Sequence, residues 1–67
     1  MISYKPLWET LSQKNITTYD LIYNQGLSSN TIHRIKHDKA ITTKTINDLC
    51  SILNCTVPEI IVYIEDE

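Results

Sequence analysis

The chain has 67 residues, room for one small domain with a single core. At 42% hydrophobic and 21% charged it has a globular balance, and one glycine with two prolines excludes the turn-rich small β-sandwich or barrel. The net charge of −2 hides a division: within residues 28–44, Arg34, Lys36, Lys39 and Lys44 face Asp38 alone, whereas elsewhere Lys5 and Lys14 face Glu9, Asp20, Asp48, Glu59, Glu65, Asp66 and Glu67.

A repeated capping signal divides the chain. Four times an apolar residue precedes Ser or Thr and a second apolar residue follows four positions after the hydroxyl: Ile16-Thr17 with Leu21, Leu27-Ser28 with Ile32, Ile41-Thr42 with Ile46, and Cys55-Thr56 with Ile60. The hydroxyl caps orphan amides of a helix start, and the apolar pair staples the entry angle. Ahead of these, Ser3 is expected to cap a first helix whose stripe is Tyr4, Leu7, Trp8 and Leu11. A second helix, about 18–24, offers Leu21 and Ile22 and runs into Gly26, the residue that closes a helix at least cost. A third, about 29–37, has only Ile32 and Ile35 to bury. A fourth, about 43–53, repeats the stripe with Ile46, Leu49, Cys50 and Leu53, and a fifth, about 57–63, opens with the capping box Thr56-Val-Pro-Glu59. Residues 65–67 read as a solvated acidic end. The expected fold is all-α, a compact bundle of five short helices forming one domain over residues 1–67.

The longest apolar run, Ile60 to Ile64, is too short to span a bilayer. No basic start leads into an apolar stretch and a cleavage site, so a secretory precursor is not expected. Cys50 and Cys55 read as reduced thiols of a cytoplasmic protein. The spacing His33-x3-His37 then Cys50-x4-Cys55 is that of a zinc finger in reverse order. However, Cys50 falls on an apolar stripe while both histidines face outward, so no metal is expected. No Ser-His-Asp set, glycine-rich phosphate loop or acid pair converges, so the chain is read as no enzyme and as needing no cofactor. Trp8, Tyr4, Tyr19 and Tyr23 read as core and rim rather than as a base-stacking platform.

The turn at Gly26 carries the functional signal. A short helix, a glycine turn and a second capped helix make a helix-turn-helix. With Leu21, Ile22, Leu27, Ile32 and Ile35 inward, Ser28, Ser29, Asn30, His33 and Arg34 face out near the start of the third helix, and local rather than total charge decides whether such a face attracts phosphate. From Thr18 through Gly26-Leu-Ser to Ile35, and on from Ile41 to Ile61, the chain resembles the Cro/C1-type (Xre) helix-turn-helix family of transcriptional regulators. It departs at Ile22, where the family usually carries a small residue, and near Lys36, where it usually carries an acid.

The resemblance implies a sequence-specific double-stranded DNA-binding regulator with the third helix in the major groove. It places Ser29, Asn30 and Arg34 at base-reading positions, and Thr18, Ser28, Thr31, His33, Lys39, Thr42, Thr43 and Lys44 against the sugar-phosphate backbone. The chemistry agrees, since Arg matches guanine O6 and N7 and Asn matches adenine N6 and N7, while hydroxyls and helix-start amides position without specifying. Each residue also has a plainer use: Ser28 and Thr42 are caps, and the two histidines lie on a solvated helix face. Two rival readings stay open, a small protein-interaction module and an antitoxin-like partner protein. One helix reads few base pairs, so a homodimer is expected, formed through the apolar fifth helix by Ile60, Ile61, Tyr63 and Ile64.

Overall fold

Three of the hydroxyls act as caps. The computed structural model describes residues 1–65. In it Thr17 Oγ1 accepts from the Asp20 N–H at 3.1 Å, Ser28 Oγ from Thr31 at 3.0 Å and Thr42 Oγ1 from Thr45 at 3.1 Å. These caps open α2 (Thr18–Tyr23), α3 (Ser29–Lys36) and α4 (Thr43–Leu53). The first helix, α1 (Lys5–Lys14), starts differently from expectation. Ser3 belongs to a two-residue strand, β1 (Ile2–Ser3), and Tyr4 takes the N-cap place without a side-chain cap bond. Ser3 Oγ still accepts the Lys5 N–H at 3.1 Å.

Among the described residues the fold therefore has four α-helices and a small antiparallel sheet, not five helices. After Thr56 the chain makes a single 3-10 turn, Val57–Glu59, and then extends into β2 (Val62–Tyr63), which pairs with β1 in the register Ile2 to Tyr63 and Ser3 to Val62. Composition explains the outcome. Ile60, Ile61, Val62 and Ile64 are β-branched, stiff in a helix and at ease on a pleat. Moreover, the N-terminal residues supply a partner: Ile64 N–H donates to Met1 O at 2.7 Å. The acidic residues 66 and 67 of the expected solvated end lie outside the described residues.

Helix ends use left-handed residues that are not glycine. Asn15, Asp38 and Asn54 have φ of 56°, 54° and 51°. The next N–H in each case reaches back five residues: Ile16 to Leu11 O, Lys39 to Arg34 O and Cys55 to Cys50 O. That is the wide bond of a Schellman closure, with Asn and Asp as the tolerated substitutes for glycine. Gly26, at φ 81°, makes the corresponding reversal between α2 and α3.

The core is Tyr4, Leu7, Leu11, Leu21, Ile32, Ile35, Leu49, Leu53 and Ile60. Leu7, Leu21, Ile35, Leu49 and Ile60 are wholly buried, each contributing about 1.5–3 kcal/mol. Ile22 and Leu27 pack half-buried at the margin, which is how the helix-turn-helix accommodates a large residue at Ile22. Thr10 is the one buried polar side chain among the described residues, satisfied by donating to Glu59 O at 2.8 Å. No helix of the described residues is long and apolar enough to cross a membrane.

Candidate nucleic-acid interface

Helix α3 is pinned from beneath by Ile32 and Ile35, at 3% and 0% exposure, so its opposite face is solvent. On that face Ser29, Asn30, His33, Arg34, Lys36 and His37 are all exposed. At its start the Ser28 and Thr31 hydroxyls lie 2.8 Å apart and the Ser28 cap takes the Thr31 N–H, while the Ser29 and Asn30 N–H groups precede the first intrahelical bond. His33 and His37 stack with ring centroids 4.3 Å apart and a 48° tilt.

Arg34 is not a free arm. Its Nε donates to Ala40 O at 2.8 Å, which lays the guanidinium across the α3–α4 loop. That loop is held twice more: Lys39 N–H to Arg34 O at 2.8 Å, and Tyr4 Oη to Lys39 O at 2.6 Å. The Lys39 side chain remains in solvent. Burial, with the Asp38 charge second, pushes the Tyr4 phenol above its ordinary range against the pull of Arg34, so it stays a neutral donor.

The start of α4 completes the basic face. Thr42 is occupied as a cap and shares a 3.1 Å contact with the Thr45 hydroxyl, while Thr43 and Lys44 stand exposed in the first turn. Lys44 Nζ pairs with Asp48 Oδ2 at 3.0 Å, but at 82% and 37% exposure this pair is worth little and can exchange for a phosphate. A cleft of about 390 Å³ lined by Thr31, Arg34, Ala40, Ile41, Thr42 and Thr45 joins the α3 face to the α4 start. Thr31, Arg34 and Thr42 are thus brought together. Ser29, Asn30, His33, Lys39, Thr43 and Lys44 lie outside that lining, and Thr18 sits half-buried in the first turn of α2.

The model of the Cro/C1-type helix-turn-helix DNA-binding domain matches residues 6–66. The chain belongs to that family. Among solved structures, the crystal structure of the transcriptional regulator VanUg, Form II, is similar with a TM-score of 0.87 and 23% identity, covering 97% of this chain and 87% of that one; the likeness is one of fold. No curated protein matches the chain.

Within this Cro/C1-type domain, two groups that matter were not readable as site residues. Tyr4 stood out only as a stripe position, because its bond to Lys39 O spans 35 residues. Ala40 acts through its backbone carbonyl, which has no side-chain signature. The dimer expectation also changes at one position: Ile60 is 0% exposed and belongs to the domain's own core, so it is not a partner contact. Among the described residues, no three His, Cys, Asp or Glu side chains gather as a metal site would need.

Proposed function

We propose that the domain is a sequence-specific regulator that binds double-stranded DNA with α3 in the major groove. Ser29, Asn30 and Arg34 read base edges, and Thr18, Ser28, Thr31, His33, Lys39, Thr42, Thr43 and Lys44 hold the sugar-phosphate backbone on either side. The observation that carries this is the α3 face itself: small polar and basic groups exposed over a helix locked by Ile32 and Ile35, flanked by the start of α4. Beside each cap, the helix starts of α3 and α4 keep first-turn amides without an intrahelical partner, and a groove lined with phosphate rewards that more than a protein surface does.

A second copy completes the reading. Ile2, Val62, Tyr63 and Ile64 are exposed on and beside the two-stranded sheet and lie outside the domain's core, while Ile61 is half-buried and packs against that core. One α3 reads only a few base pairs, and two-fold pairing through this patch supplies a second half-site about one helical turn away. The experiment is selection of bound duplexes from a random-sequence pool. Enrichment of a motif with two related halves supports the proposal; recovery of unenriched sequence, or of no DNA, rejects it in favour of a protein-binding module.

A further inference from the structure

The guanidinium of Arg34 is aimed by a chain of hydrogen bonds that begins in the core. Tyr4, at 4% exposure, donates its hydroxyl to Lys39 O at 2.6 Å. Lys39 C=O belongs to the same planar peptide unit as Ala40 N, so holding that carbonyl orients the plane from which Ala40 continues. Ala40 O, one residue on, accepts from Arg34 Nε at 2.8 Å. The ring closes because Lys39 N–H donates back to Arg34 O at 2.8 Å. With Nε committed, the donors left to Arg34 are its two Nη groups, which form the end-on fork that guanine O6 and N7 accept.

We propose that Tyr4 is a specificity-setting positioning residue: by fixing the Lys39 carbonyl it sets the Ala40 carbonyl that orients Arg34 for base reading. The inference rests on Arg34 reading a base. A bidentate contact needs its fork held within about 0.5 Å and 10–20°, and a loop carbonyl free to swing does not provide that. The nearest charges add to the arrangement. Asp38 and Arg34 both act on the phenol, from the loop and from α3, and neither removes its proton at neutral pH. Tyr4 touches no DNA in this scheme; it acts only through the loop.

The test uses the full chain, a duplex recovered from random-sequence selection and an unselected random duplex. Arg34→Ala lowers the ratio of selected to random affinity by about 5- to 150-fold. Tyr4→Phe, which keeps the ring in the core, lowers that ratio by about 3- to 10-fold and leaves random-duplex affinity and its salt slope unchanged. The double variant is no worse than Arg34→Ala alone, because the hydroxyl acts through the guanidinium. In the native protein, the Arg34 Nε–H gives a resolved, exchange-protected NMR signal that Tyr4→Phe broadens, a readout that also serves if the variant folds poorly. Equal losses on both duplexes, full additivity with Arg34→Ala, or an unprotected Nε–H in the native protein overturns the inference. If Arg34→Ala leaves the ratio intact, the base-reading assignment itself fails, a result distinct from a silent Tyr4→Phe.

Discussion

At the residue scale, backbone conformation makes the sharpest predictions. Gly26 holds φ 81° with nothing within 4 Å of where a Cβ would stand, so Gly26→Ala meets no clash and is penalised by the left-handed backbone alone. The expected loss is about 1 kcal/mol, read as a fall of several degrees in thermal midpoint. Asp38 presents the converse case, a non-glycine in the same region at φ 54°. Asp38→Gly is expected to raise stability by up to about 1 kcal/mol, since relief of the strained φ outweighs the greater freedom of the unfolded chain. It also removes the single acid of the basic stretch and tightens DNA binding at low salt; an unchanged affinity there, measured by anisotropy, would count against a phosphate-facing loop. Residue roles were legible where a side chain serves its own neighbouring amides, as at the caps Thr17, Ser28 and Thr42. They were not legible at Tyr4, Thr10 and Ala40, whose roles depend on carbonyls brought close by folding.

At the element scale, the caps connect sequence to stability most directly. Thr17, Ser28 and Thr42 each satisfy an orphan amide, and replacing any one by Ala is expected to cost about 1 kcal/mol in denaturant unfolding. The two capping boxes, Thr17 with Asp20 and Thr56 with Glu59, also carry a pH signature. Backbone and hydroxyl bonds from Thr17 hold the Asp20 carboxylate below its ordinary value, and those from Thr56 do the same for Glu59. A carboxylate whose folded pKa is lowered stabilises the fold above its unfolded value, near 4, and that contribution fades as pH falls through the folded value. Denaturation midpoints are thus expected to be level near neutrality and to drop below about pH 5, less steeply in Asp20→Asn. The capping logic also explains why the fifth helix was expected. Thr56 with Glu59 has the signature of a helix start, and Glu59 does accept from the Thr56 N–H at 3.0 Å. Beyond that turn, however, Ile60, Ile61, Val62 and Ile64 are β-branched, and the segment finds Ile2 and Ser3 as strand partners across the whole chain, a pairing that local periodicity does not encode.

At the scale of the whole molecule, charge and apolar surface are segregated by the fold: the basic stretch flanks α3 and the start of α4, and the apolar patch lies on the β1–β2 sheet. Tyr63→Glu is expected to hold the protein monomeric in sedimentation and weaken binding to a two-half site, without altering the fold, because Tyr63 is 67% exposed. In the proposed function, α3 and its basic flanks bind duplex DNA and read it. The most direct test is the affinity of the wild-type domain for a selected and a scrambled duplex across a salt titration. If Lys36, Lys39 and Lys44 neutralise phosphates while Arg34 reads a base, log K against log [salt] falls with a slope of about −2.7 per protomer, with the selected duplex bound at least about tenfold more tightly throughout. A slope near zero, or equal affinity for both duplexes, would contradict it.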